Sequence, residues 1–248
     1  MKKLTKVAFA CLIAVACQNA WAQSRANRSS PVLDAMIEAL GGPVFLDVKE
    51  IHTSGRFFSF SKGDLSGSDL FEDYIKMPDM ERTEFGRDKN KSITINRGKE
   101  GWKIEGKKEV EPQPVVQADE FLANFKISFD YVLRYVLQQP QTTVQNLPSQ
   151  LIDFKRADVV EIRDSTKNVI RFFVDRATHL PIKMQVRRVN QSAVSEELYA
   201  NWHKFQGVMT PLLISRSTNG LKTMEIRPET AAYNPGLPDS LFTAPPSK

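Results

Sequence analysis

Residues 169–187 read VIRFFVDRATHLPIKMQVR. In the first half Ile170, Phe172 and Val174 alternate with Val169, Arg171 and Phe173. In the second half Ile182, Met184 and Val186 alternate with Lys183, Gln185 and Arg187. A period of two sends successive side chains to opposite faces of an extended chain, so each half reads as a β-strand. One face of each is richer in charge, the pattern of antiparallel strands with one wet and one covered face.

The same period recurs on both sides of this stretch. Ile93 and Ile95 alternate with polar residues, as do Trp102 and Ile104, and Met224 and Ile226 alternate with Thr223, Glu225 and Arg227. Less regular strands are expected at 51–60, 69–77, 82–85, 158–163, 196–205 and 212–217. The connections are short. Asn219-Gly220 between two strand-like runs is a strong hairpin signal, and residues 96–101 and 164–168 are turn-rich. Such spacing favours a meander over parallel strands joined by helical crossovers.

Two segments change period. Val32, Leu33, Met36, Ile37 and Leu40 form one helical stripe, with Ser30 as N-cap, Pro31 at the first helical position and Gly41 at the C-terminal left-handed position. Between residues 119 and 138, Phe121, Leu122, Phe125, Phe129, Val132, Leu133, Val136 and Leu137 also fall at helical spacing. Asp119 can cap that helix, Pro140 stops it, and Pro112, Pro114 and Pro148 add loop-like flanks. The chain is therefore expected to be α+β and mainly antiparallel β, with a substantial helix inserted midway through the sheet.

The N-terminus reads as an export leader. Lys2, Lys3 and Lys6 precede an uncharged apolar run from Val7 to Cys17, and Ala20-Trp21-Ala22 supplies small residues for cleavage before Gln23. Residues 1–22 are expected to be a signal peptide, and residues 23–248 a single domain. An alternative is lipidation at Cys17, which would anchor the protein to a membrane. Cys11 and Cys17 are the only cysteines of the chain, so the mature domain contains no disulfide and no thiol chemistry.

Composition narrows the functional classes. The chain has 34 basic and 29 acidic residues; removing the three leader lysines leaves 31 against 29, a net charge of +2. Nucleic-acid-binding domains carry a concentrated basic excess, which is missing here. His52, His179 and His203 are widely separated and show no metal-ligand spacing. Gly63-Asp64-Leu65-Ser66-Gly67 has its serine one place late for a nucleophile elbow, and Gly98-Lys99-Glu100-Gly101 lacks the ending of a phosphate loop. The carboxylates at Glu72-Asp73, Asp119-Glu120 and Glu196-Glu197 read as solvated strand residues, because neighbours on a strand point to opposite faces. No catalytic residue, metal or cofactor is expected, and the chain does not read as an enzyme. After the leader it retains 14 phenylalanines and six methionines, residues suited to an adaptable apolar pocket.

Several short stretches carry a family resemblance. Met77-Pro78-Asp79-Met80-Glu81-Arg82 is similar to a strand turn in which proline precedes arginine. Asp175-Arg176-Ala177-Thr178-His179-Leu180-Pro181 resembles a D-x-x-T-x-L-P turn, and Phe205-Gln206-Gly207-Val208-Met209-Thr210-Pro211 an F-x-G-V-x-x-P turn. The segment from Leu237 to Pro245 resembles a common closing segment. With the first helix ending in Gly-Gly, the order of these motifs resembles the LolA/LolB-like periplasmic lipoprotein carriers over nearly all of residues 31–245.

The resemblance implies an open half-barrel of about ten or eleven strands covered by a few helices. It implies an apolar cavity beneath a helical lid at 119–138, holding a lipid or the acyl chains of lipoproteins. Phe121, Phe125, Phe129 and Val132 would be the lid residues. Trp102, Ile104, Ile170, Phe172, Ile182 and Met184 would be the wall, and Arg82 would latch the lid. Implied partners are lipids or lipoproteins and envelope transport proteins, and the implied location is the periplasm. The same fold also serves envelope sensors and interaction proteins that carry no lipid.

Overall fold

The computed structural model of the protein describes residues 30–87, 90–106 and 108–244. The expected leader, its expected cleavage site and Cys17 lie outside the described residues. Two helices open the chain, α1 (Pro31–Leu40) and α2 (Pro43–Leu46). Six strands follow: β1 (Glu50–Ser61), β2 (Asp64–Lys76), β3 (Met80–Phe85), β4 (Ser92–Arg97), β5 (Glu100–Glu105) and β6 (Glu111–Pro112). The inserted helices are α3 (Val115–Phe125) and α4 (Phe129–Arg134), with a 3-10 turn at Val136–Gln138. The chain then forms β7 (Thr143–Ile152), β8 (Lys155–Arg163), β9 (Val169–Asp175), β10 (Pro181–Arg187), β11 (Val194–Phe205), β12 (Val208–Thr218) and β13 (Leu221–Tyr233), and a last 3-10 turn covers Asp239–Phe242.

All thirteen strands belong to one antiparallel sheet in the order β6-β5-β4-β3-β2-β1-β13-β12-β11-β10-β9-β8-β7. Every neighbour but one is also a neighbour in sequence. The exception, β1 beside β13, joins two meanders. The first meander runs outward from β1 to the β6 edge. The next strand lies at the opposite edge, so the connection from β6 to β7 must cross the whole sheet, and α3 and α4 make that crossing. The helical insertion that breaks the alternation is thus what covers one face. The edges β6 and β7 do not pair with each other, so the sheet is an open half-barrel.

The two extra strands relative to expectation lie in proline-marked sequence. β7 is an edge strand, and Pro148 falls at its register shift between Leu147 and Gln150, where a missing N–H costs no ladder bond. The expected single helix at 119–138 is broken instead. Helix α3 starts earlier, after Pro114, and Ser128 begins a new helix by accepting a hydrogen bond from the Tyr131 N–H at 3.4 Å.

Helix α1 has the expected ends. The Ser30 hydroxyl accepts from the Leu33 N–H and donates to Asn146 Oδ1 at 2.6 Å, tying the helix to β7. Gly41 ends it with φ +133°, and a Cβ there would stand 2.6 Å from the Gly207 carbonyl oxygen. Gly41→Ala is therefore expected to lose about 1–3 kcal/mol through backbone strain and close approach. Thermal denaturation would show this as a lowered Tm, and an unchanged Tm would contradict it.

The inner face of the sheet is filled over only half its width. Leu33, Met36 and Leu40 of α1, Phe45 of α2, and Val132, Leu133 and Val136 pack on Val160, Ile162, Ile170, Phe172, Met184 and Val186. Arg134 pins the second helical layer to the first. It is buried, its Nε donates to the Phe45 carbonyl at 2.9 Å, its guanidinium lies 4.0 Å from the Phe45 ring centroid, and it pairs with Asp130. The other half of the inner face, toward β1–β4, has no such filling.

Candidate functional site: an amphipathic cavity under α3

A cavity of about 590 Å³ occupies that unfilled half. It lies between the inner faces of β1–β4 and β11–β13, with α3 and the start of α4 along its other side. Ligand pockets commonly have about 300–1,000 Å³.

Register explains how the sheet builds its wall. Directly opposed residues in antiparallel strands share a face. Thr53, Asp73, Thr83 and Thr94 are successive cross-strand partners on β1–β4 and form a polar row. Beside it Gly55, Phe71 and Phe85 form the next row; the glycine lets β13 come close at the register shift, where a Cβ would stand 2.1 Å from the Arg227 carbonyl oxygen. Phe57 reaches Phe85 with ring centroids 4.9 Å apart. Ile214, Ile226, Met209 and Met224 extend the apolar lining on β12 and β13. From the helices come Phe121, Phe125 and Phe129, with Phe121 and Phe125 packed at 5.3 Å and Phe125 against Tyr131 at 5.9 Å.

The polar lining is unequally satisfied. Arg216 Nε stands 2.7 Å from Glu197 Oε1, at an angle too bent for a hydrogen bond, so the two act on each other through charge. The Tyr199 hydroxyl donates to the other oxygen of Glu197 at 2.7 Å, and burial holds that phenol well above its ordinary pKa. Thr210 and Tyr233 share a 2.6 Å hydrogen bond. Among the described residues Asp73 accepts only from the Thr83 hydroxyl, at 3.0 Å. Glu81, in the row next to Asp73, has no side-chain partner among the described residues.

Both of these carboxyls resist ionisation. Burial pushes Asp73 up to about 6, against the pull of Thr83 and Arg216. Burial and the charge of Asp73 push Glu81 up to about 8, with Arg216 again opposing. Because the folded value of Glu81 lies above its ordinary 4.5, its stabilising contribution is present below that value and is lost as pH rises through about 8. Glu81→Gln is therefore expected to raise Tm above the unsubstituted protein near pH 9 and to change it little near pH 4. Parallel melts that show the same difference at both pH values would contradict this.

The residues expected from sequence fall into four places. Phe121, Phe125 and Phe129 line the cavity. Val132, Ile170, Phe172 and Met184 sit on the inner side but are nearly or wholly buried in the helix-covered core. Trp102 and Ile104 are register partners of Ile95 and Ile93, on the face opposite Thr94 and Asn96, so they point away from the cavity. Ile182 packs with Val159 and Phe173 in a small cluster on that outer side. Arg82 is likewise on the outer face. It binds Glu84 at 2.6 Å and the Leu241 carbonyl at 3.3 Å, so it holds the closing segment and does not touch α3 or α4.

The helical cover also divides in two. Helix α4 is fixed: Phe129 meets Phe45, Phe172 and Tyr199 at 6.2, 5.9 and 5.2 Å, and Val132, Leu133 and Arg134 are buried. Helix α3 buries only Ala118 and Phe125 and leaves Val115 and Val116 exposed at its start. Its entry is tied by Gln113, whose side-chain amide donates to the Ile95 and Trp102 carbonyls.

This architecture has solved counterparts. A DUF1329 family protein from Desulfovibrio piger ATCC 29098 matches at a TM-score of 0.59 and 13% identity, over 86% of this chain and 95% of that one. A putative outer membrane lipoprotein-sorting protein domain from Vibrio parahaemolyticus matches at 0.51 and 13%, over 78% and 88%. A LolA superfamily protein from Nitrosomonas europaea, NE2245, matches at 0.51 and 13%, over 85% and 96%. The fold is LolA-like. The likeness lies in the shared architecture, because 13% identity leaves few side chains in common. No family model and no curated protein matches the chain. Among the described residues of this LolA-like sheet, no three His, Cys, Asp or Glu side chains gather into a metal site.

Proposed function

We propose that the mature protein is a periplasmic binding or carrier protein for a lipid or acyl-chain amphiphile, which it holds without chemical change. The observation that carries this reading is the 590 Å³ cavity, with its aromatic and methionine lining on one side and its polar row on the other. The leader-like N-terminus supports export, and the fold is shared with a protein described as an outer membrane lipoprotein-sorting domain.

The energetics suit a reversible carrier. Each methylene moved from water into such a lining is worth about 0.8 kcal/mol. A chain of medium length therefore gains several kcal/mol, from which the costs of immobilisation are subtracted. Helix α3 is the part that moves to admit it. It is held through Phe121, Phe125 and the Gln113 tether, whereas α4 is locked by Arg134 and the Phe129 cluster. Lipoproteins and the envelope proteins that hand them over are the partners this reading implies.

Titration with N-phenyl-1-naphthylamine, a neutral apolar fluorophore, tests the reading. Saturable uptake near one equivalent, with a blue-shifted emission, is the expected result. Absence of uptake across a concentration series would remove it.

A further inference from the structure

We infer that the ligand is a single-chain amphiphile whose polar end is a primary ammonium group, bound at Asp73 and Glu81 with its chain against the aromatic row. This rests on the carrier reading above and specifies the headgroup that the cavity selects.

Charge inside the cavity is unevenly balanced. Its lining contains four carboxylates, Asp73, Glu81, Asp130 and Glu197, and one guanidinium, Arg216. Asp130 is answered by Arg134 and Glu197 by Arg216. Among the described residues Asp73 has a single neutral donor, the Thr83 hydroxyl, and Glu81 has no side-chain hydrogen-bond or ion-pair partner. The charge of Arg216 reaches both, but it is held at Glu197, and two enclosed carboxyls that share so little positive charge are costly unless they hold protons or receive a cation from outside. An anionic head entering here would meet carboxylates around an arginine that is already paired. An ammonium head brings three donors and one positive charge to two carboxyls that together receive one neutral hydrogen bond and no ion pair.

Position agrees with this. Asp73 stands in the polar row, one row from Phe71 and Phe85, so a head at Asp73 and Glu81 leaves the chain lying along the phenylalanines and toward Ile226 and Met224.

Binding of the cation is linked to protons. The titratable and charged groups facing the head are Asp73 from β2, Glu81 from β3, Glu197 and Tyr199 from β11, Arg216 from β12, Tyr233 from β13 and Asp130 from α4. An alkylammonium keeps its charge across the whole range below about pH 10. Asp73 and Glu81 become carboxylates as pH rises through about 6 and about 8, so affinity for the cation increases from pH 5 to pH 8.5.

Displacement of bound N-phenyl-1-naphthylamine tests the inference, using dodecylamine, dodecanoate, dodecanol and lyso-phosphatidylethanolamine below their aggregation concentrations. At pH 8.5 dodecylamine is expected to compete at least about tenfold better than dodecanoate. That preference should shrink at pH 5. It should also shrink in Asp73→Asn and in Glu81→Gln, each preference being taken as the amine-to-dodecanoate ratio within the same variant. Lyso-phosphatidylethanolamine competing as well as dodecylamine places the ammonium on a phospholipid head; dodecylamine alone places it on a simple amine. Dodecanoate or dodecanol competing as well as the amine, or a preference unchanged in both variants, overturns the headgroup assignment while leaving the carrier reading intact. Refusal of the fluorophore and of every amphiphile overturns both.

Discussion

Phe172→Ala is expected to lower stability by about 3–5 kcal/mol, the range for a large aromatic side chain removed from a packed core. Phe172 is wholly buried, its register neighbours are Val160 and Met184, and its ring meets that of Phe129 edge-on at 5.9 Å. Truncation leaves a void that α1 and α4 cannot close, because Arg134 fixes α4 to the Phe45 carbonyl. In a domain of this length each kcal/mol lowers Tm by about 2–4 °C, so the shift is easily measured. Fluorophore uptake at low temperature should survive, since Phe172 does not line the cavity. Intact stability with lost uptake would instead make Phe172 part of the ligand wall.

Phe121→Asp should give the opposite outcome. Phe121 is half-buried on α3, faces the cavity and packs on Phe125 at 5.3 Å. A carboxylate there places an unpaired charge where the chain must lie. The cost of about 1–3 kcal/mol for an unsatisfied buried polar group corresponds to roughly a fivefold to hundredfold loss of affinity. The fold should change little, because the core beneath α1 and α4 is untouched. Equal uptake by Phe121→Asp and the unsubstituted protein would mean that no ligand passes beneath α3. Together the two variants separate the filled half of the inner face from the open half.

How far the molecule was legible in its sequence depends on which physical signal was in use. Alternation in residues 169–187 and its neighbours reports strands directly, and Asn219-Gly220 reports a hairpin, so the antiparallel meander could be read. The break at Ser128 could not be read from periodicity. Phe125, Phe129, Val132 and Val136 keep helical spacing across it; only the serine cap reports it. Strand β7 was hidden because Pro148 marks loops and edge strands alike.

The site was harder to see because period two names two faces without saying which one the helices cover. Trp102 and Ile104 are apolar, yet they belong to the outer face, where Ile95 is buried and the Asp239–Phe242 turn packs on β3 and β4. Arg82 belongs to that face for the same reason. Beside Glu72, Asp73 reads as a solvated strand residue, but its phase is informative. Phe71, Asp73 and Ile75 alternate on one face of β2, so an acid standing in line with two buried-type residues marks a polar point inside an apolar wall. The same phase places Glu81 in line with Thr83 and Phe85.

The central claim is that the open half of the inner face holds an amphiphile. Native mass spectrometry of the mature protein purified from the periplasm, followed by solvent extraction and identification of what is released, tests it most directly. The expected result is a co-purifying single-chain amphiphile that is absent from Phe121→Asp prepared in the same way. A clean unliganded mass, with no uptake when single-chain amphiphiles are supplied, would contradict it.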